Sequence, residues 1–220
     1  MIYLFIRSNS IKINDLDDRN LMMLLELRRG GILDDRIFNA ITSFSRDLFL
    51  PDGLKGFANE DLDLKIFSDV TASKTSDIAK MLFLGLSNNN STKNVLEIGT
   101  GSGWQTALLS KIYNRVYTIE INKKAYNFSS NILKNISNRI SFKLGDGKKG
   151  WLESGPFDAI YIDCDVGDDV INLYSNLVKK DGVIILVKSY DGKQFYSSYS
   201  PTEKNVIIKS DYQVDRSKLI

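Results

Sequence analysis

Histidine is absent from all 220 residues of the chain. That absence excludes Ser-His-Asp and Cys-His machinery, imidazole metal ligands and an imidazole general base. Cysteine occurs once, at Cys164, which excludes intramolecular disulfides and thiolate metal cages. Charge of one sign is also in short supply: 29 Lys and Arg stand against 27 Asp and Glu, a net +2. Such a balance creates no strong field toward nucleic acid or an anionic membrane. No apolar run approaches the roughly 20 residues that cross a bilayer. The opening MIYLFI lacks the basic flank and small-residue cleavage site of a secretory signal. A cytoplasmic protein with no nucleic-acid and no membrane partner is therefore expected. No internal repeat is present. What remains, 43% apolar and 25% charged residues, is the composition of a folded globular chain.

Apolar spacing predicts a helix over residues 15–29, stopped by Gly30-Gly31, and a second beginning at Asp34-Asp35 with Ile37, Ala40, Ile41 and Phe44 facing the core. Residues 62–71 read as an extended segment or short hairpin, and residues 73–86 as a helix whose preceding hydroxyls serve as caps. The polar stretch 87–93 reads as a loop. Beyond it, short strands at 94–98, 115–119, 140–144, 157–162 and 182–187 alternate with helices at 104–112, 122–135 and 170–178. The expected fold is α/β: a Rossmann-like, doubly wound, mostly parallel sheet with helices on both faces and an N-terminal helical extension. Residues 1–86 form the helical and substrate-loop region and 87–220 the α/β core, packed as one compact unit. In the tail, Val206 to Ile208 reads as a final antiparallel strand, and Tyr196, Tyr199 and Tyr212 as packing residues.

Parallel α/β sheets bind ligands beyond the carboxyl ends of their strands, where strand order reverses. The first parallel strand runs into Gly99-Thr100-Gly101-Ser102-Gly103 and then a helix. Glycines there allow positive φ and a close approach, and the helix start offers N–H groups to an anion. Glu120 ends the second strand, where a carboxylate accepts hydrogen bonds from a ribose diol. Gly145-Asp146-Gly147 ends the third and offers an acceptor to an exocyclic amine. Together the three strand ends suit adenosine. The acid at Glu120 by itself fits NAD or another adenosine ligand equally well. Asp163 and Asp165, at the expected mouth of the fourth strand, would repel an anionic acceptor if they faced it, and as a pair they lack the further ligands of a divalent-ion site.

The string VLEIGTGSGWQTALLSKI (residues 95–112), GDGKKGW (145–151) with PFDAIYI (156–162), and GILDDRIFNAITSFSRDLFLP (31–51) resemble the protein-L-isoaspartate O-methyltransferases, within the class I S-adenosylmethionine-dependent methyltransferases. The resemblance implies S-adenosylmethionine as cofactor, with S-adenosylhomocysteine as product. It places Glu120 on the ribose with Ile121 beside it, Asp146 near the adenine between Gly145 and Gly147, and Gly99, Thr100, Gly101, Ser102 and Gly103 beneath the methionine part. Glu97 is implied as a further cofactor contact. The segment Thr71-Ala72-Ser73-Lys74-Thr75 is similar to the family's T-I-S-Q-P pattern, so Val70, Thr71, Ala72 and Ser73 are implied as cofactor contacts and Ser73 as the catalytic residue. No metal is implied. The partner is a protein or peptide carrying isoaspartate.

An isoaspartyl carboxylate has a pKa of about 4 and is already nucleophilic at neutral pH, so a chain without histidine is equal to the task. Lys74 is a candidate partner for that carboxylate, the alternative being a solvated helix-start lysine. Departures at 67–70, 74–75 and 163–165 also admit a related methyltransferase with a changed acceptor, or a cofactor-binding but catalytically silent homologue.

Overall fold

A computed structural model of the chain describes residues 18–87, 92–166, 168–201 and 207–219. The MIYLFI segment, Val206 and most of the 87–93 loop lie outside the described residues. Each apolar stretch that is followed by a helix has to return parallel, because a crossover of that length carries the chain back to the same end of the sheet. Strands β3 (Asn94–Ile98), β4 (Arg115–Glu120), β5 (Ile140–Leu144), β6 (Phe157–Asp165) and β7 (Val178–Tyr190) accordingly pair in parallel. Their order is β5-β4-β3-β6-β7, extended by an antiparallel hairpin of β8 (Lys193–Tyr199) and β9 (Ile207–Val214). The chain enters at β3, moves out through β4 and β5, then reverses to β6. A crevice therefore opens at the carboxyl ends of β3 and β6.

Side chains alternate across the sheet. Val95, Val116, Ala159, Tyr161, Val183 and Ile185 join Leu24 of α1 (Asp18–Arg29), Phe38 of α2 (Asp35–Ser43), Leu82 of α3 (Thr75–Ser87), Leu108 of α4 (Trp104–Ile112) and Leu133 of α5 (Lys123–Leu133) in one apolar cluster. That cluster spans the boundary drawn at 86/87. Leu96, Ile98, Ile160, Ile162, Ile184 and Leu186 face the other way, toward Leu177 and Tyr174 of α6 (Asp168–Ser175). Each such side chain, when fully buried, contributes about 1.5–3 kcal/mol. Helices thus cover both faces, but five of the six lie on one.

Element ends differ from expectation in ways that matter at the crevice. β6 continues past Ile162 to Asp165, so residues 163–165 belong to the strand rather than to a turn. β7 starts at Val178, which ends α6 sooner, and β9 runs well beyond Ile208. β8 was not anticipated, because FYSSY shows no apolar alternation. The stretch 62–71 forms the antiparallel hairpin β1 (Leu64–Phe67) and β2 (Val70–Ala72). It packs Leu64, Ile66, Val70 and Ala72 against Leu50 and Ala125. Helix α3 begins at Thr75 rather than Ser73, and acids from outside the helix take the hydroxyls' expected capping role. Asp63 accepts from the Lys74 N–H and Asp61 from the Ser76 N–H, each at 2.8 Å. The Ser73 hydroxyl is thereby left for other work.

Candidate functional site

The turn after β3 holds Gly99, Gly101 and Gly103 at φ of +92°, +55° and +89°. Side chains are strained in this region. A Cβ on Gly99 would meet nothing within 4 Å, because it would project into the crevice, while one on Gly103 would press Leu133 and Ser129 at 3.0 Å. Gly103 is thus a packing glycine between α4 and α5, and Gly99 is an opening. Glu120 braces the turn from the end of β4: its two oxygens accept from the Gly101 and Asn122 N–H groups at 2.8 Å each. Below, Glu97 Oε2 accepts from the hydroxyls of Thr106 (2.5 Å) and Thr118 (2.7 Å), while Oε1 has no partner among the described residues. Burial pushes the Glu97 carboxyl up to about 8, against the pull of the two hydroxyls.

A cavity of about 680 Å³ occupies the crevice. That is a size suited to a small organic ligand. Of the expected contacts, Val70, Thr71, Ala72, Ser73, Gly99, Thr100, Gly101, Ser102, Glu120, Ile121 and Gly147 line it. Glu97, Gly103, Gly145 and Asp146 do not. Glu97 lies buried under the turn, and Gly103 is enclosed by helices. Gly145 is committed to the backbone, its N–H donating to Glu120 O at 2.9 Å. Asp146 is turned to its own chain, where it caps a short 3₁₀ turn through the Lys148 N–H at 2.9 Å. Gly147 reaches the wall because it is pressed against Ile98, where no Cβ would fit.

Opposite the glycine turn, Ser73 donates its hydroxyl to Asp163 Oδ2 at 2.7 Å. Asp163 Oδ1 accepts from Tyr196 OH and Arg216 Nε, both at 2.8 Å. Arg216 also reaches Asp77 (2.9 Å) and Asp63 (3.4 Å). Burial works against the Arg216 charge, but Asp163, Tyr196 and Asp63 raise its pKa above the ordinary value. The anticipated repulsion from Asp163 is consequently offset inside the protein. Asp165 is turned to different partners, Ser189 at 2.9 Å and Gln194 at 3.2 Å. Burial, then Asp163, Asp165 and Glu120, push the Cys164 thiol up to about 12. Lys74 is not on the cavity wall; it lies 3.7 Å from Asp77, one helical turn on.

Two cations escaped the sequence reading. Arg216 arrives on a segment beyond β9 that docks beside the tip of β6: Asp165 N–H donates to Ser217 O at 2.9 Å and Leu219 N–H to Asp165 O at 2.8 Å. Its only signal was Asp163, an acid at a strand tip that burial obliges to find a partner. Arg46 is 4% exposed and has no carboxylate partner at bonding distance among the described residues. Its guanidinium donates instead to carbonyls on the Ser73 side of the site, including Leu62 (2.9 Å), Ala72 (3.1 Å) and Ser73 (3.0 Å). No pattern in the sequence distinguishes it from a surface arginine.

Residues 18–215 match the family model described as protein-L-isoaspartate(D-aspartate) O-methyltransferase. A protein-L-isoaspartate O-methyltransferase of Photobacterium profundum is 36% identical over 169 residues, 76% of this chain and 79% of the relative. One of Pseudoalteromonas atlantica is 39% identical over 137 residues, covering 62% of this chain but only 65% of the relative's length. A solved Plasmodium falciparum structure described as an isoaspartate methyltransferase in complex with S-adenosyl-L-homocysteine superposes with a TM-score of 0.78 at 19% identity, covering 90% of this chain and 97% of that one. At that identity the superposition speaks for the fold alone. The family model covers nearly the whole described chain, and the chain belongs to the protein-L-isoaspartate(D-aspartate) O-methyltransferase family.

Proposed function

We propose that the protein is an S-adenosylmethionine-dependent carboxyl O-methyltransferase acting on L-isoaspartyl residues of damaged proteins or peptides. The observation that carries this reading is one cavity bounded on one side by the glycine turn with Glu120 and on the other by Ser73. The residues present fit an adenosyl group, since Gly99 leaves open the space that a Cβ would fill. Each Glu120 oxygen, engaged by one N–H, keeps a second lone pair for a ribose hydroxyl. Val70, Thr71 and Ala72 cover the turn from the hairpin, the position of a Cβ on Gly101 lying 3.9 Å from Thr71 O and Val70 Cγ1. Ile121 would flank the ribose end of the bound nucleoside and Gly147 the base end. Glu97 and Asp146 act indirectly, Glu97 by bracing the turn from below and Asp146 by shaping the 3₁₀ turn.

The bound cofactor supplies an electrophilic methyl group on a sulfonium. The acceptor carboxylate needs no base, because it is ionised at neutral pH. The protein's task is to dehydrate and aim it, a contribution of roughly 7–11 kcal/mol in favourable cases. Ser73, whose loop is clamped by Arg46, stands at the acceptor end with its orientation set by Asp163. Paired with Arg216, Asp163 serves as an anchor.

Isotope-labelled S-adenosylmethionine incubated with isoaspartyl and matching aspartyl peptides tests the reading, with base-labile label expected on the isoaspartyl peptide alone. Ser73→Ala is expected to lower transfer about tenfold or more, one hydrogen bond's worth of positioning in the transition state. Binding of S-adenosylhomocysteine should be retained. Full turnover in that variant removes Ser73 from the mechanism. Label on a different acceptor would instead support a changed specificity, and cofactor binding without transfer a silent homologue.

A further inference from the structure

In the structure the Ser73 proton is directed to Asp163. Turned toward an entering acceptor, that hydroxyl offers one hydrogen to a carboxylate with two oxygens, and the second oxygen requires another donor. Arg216 lies on the same wall. Its three carboxylate contacts are unequal. Asp163 and Asp77 are 15% and 2% exposed and bond at 2.8 and 2.9 Å, whereas Asp63 is 40% exposed and stands 3.4 Å from Nη1. An exposed pair at that distance contributes about 0–1 kcal/mol. Asp63 is also on the cavity wall, and its other oxygen is held independently by the Lys74 N–H at 2.8 Å.

We propose that Arg216 Nη1 receives the acceptor's carboxylate, and that Asp63 Oδ2 holds that position in the free protein until the acceptor displaces it. The inference rests on the carboxylate-acceptor reading above. At Nη1 one carboxylate replaces another, and the charge of Asp63 is transferred to solvent rather than left unpaired in the cavity. Asp63 need not leave its loop, because its hydrogen bond to Lys74 persists while its free oxygen turns to water. The second nitrogen-bound proton of Nη1 stays on Asp215 O at 2.9 Å, which fixes the plane of the guanidinium during the exchange. The Asp77 ion pair does not have to break.

The test is calorimetric binding of an isoaspartyl peptide to the full chain loaded with S-adenosylhomocysteine, compared with the same peptide carrying that carboxylate as its amide. Asp63→Asn keeps an acceptor for the Lys74 N–H and removes only the competing charge. It is expected to tighten the acid peptide by about twofold to fivefold and leave the amide unchanged. Arg216→Gln is expected to weaken the acid peptide roughly tenfold or more, again sparing the amide and the affinity for S-adenosylhomocysteine. Unaltered acid-peptide affinity in Asp63→Asn, or equal changes for acid and amide, overturns the assignment. Asp63 is on the surface, so this arm stands even if Arg216→Gln fails to fold. Wild-type protein that binds S-adenosylhomocysteine but neither peptide would overturn the isoaspartyl reading itself, and with it this inference.

Discussion

Glu97 keeps one carboxylate oxygen bonded to two hydroxyls and the other without a partner among the described residues, and burial raises its pKa from 4.5 to about 8. Between those values the folded protein retains a proton that the unfolded chain has released. The resulting stability is fully present below pH 4.5 and is lost as pH rises through about 8. Urea titrations of the ligand-free protein at pH 5 and pH 9 should therefore give a lower midpoint at pH 9. Glu97→Gln should shrink that difference, and an undiminished difference would assign the pH dependence elsewhere. Cys164 offers a second check at this scale. A thiol held near 12 stays protonated at neutral pH and makes a poor nucleophile. Alkylation by iodoacetamide at pH 8 should be much slower than for a small free thiol and should accelerate on unfolding.

The loop carrying Ser73 is an element held from two sides: by Asp63 at the entrance to α3, and by Arg46, whose guanidinium spans the carbonyls of Leu62, Ala72 and Ser73. A lysine has one compact donor group and cannot span them. Arg46→Lys should cost about 2–4 kcal/mol of stability, since hydrogen bonds from a charged group contribute roughly 1.5–3 kcal/mol each. In the fraction that folds, kcat for methyl transfer should fall more than cofactor affinity. Equal losses in both would make Arg46 a general structural residue. At this scale the sequence was legible wherever one physical signal dominated. Apolar strands bounded by turns marked β3, β4 and β5 closely, and glycines between strand and helix marked the turn. Legibility failed where long-range partners decided the outcome. β6 extends to Asp165 because the 215–219 segment pairs with its tip, and β8 is a strand because β7 and β9 flank it. Asp146 also follows local capping chemistry, through the Lys148 N–H, which the sequence reading did not anticipate. Arg216 stands 53 residues from Asp163 in sequence, and no periodicity connects them.

For the molecule as a whole, cavity and core are coupled: the cavity wall is drawn from the hairpin, the tips of β3, β4 and β6, and the segment after β9. A ligand filling it bridges parts that are far apart in the chain. S-adenosylhomocysteine at 100 times its Kd should add about 2.7 kcal/mol of stability. That corresponds to a rise in Tm of roughly 5–10 °C for a chain of this size, readable by scanning calorimetry. No shift would mean that the cavity does not bind the nucleoside. With a net charge of only +2, little long-range steering of the acceptor is expected, and its association rate should respond weakly to salt. The late position of Arg216 also bears on biosynthesis. During translation Asp163 emerges from the ribosome well before Arg216 does, so in a nascent chain stalled before that arginine the Ser73 side of the cavity lacks the cation that pairs with Asp163. Completion of the Ser73 side of the cavity thus waits on the last stretch of the described polypeptide to be made.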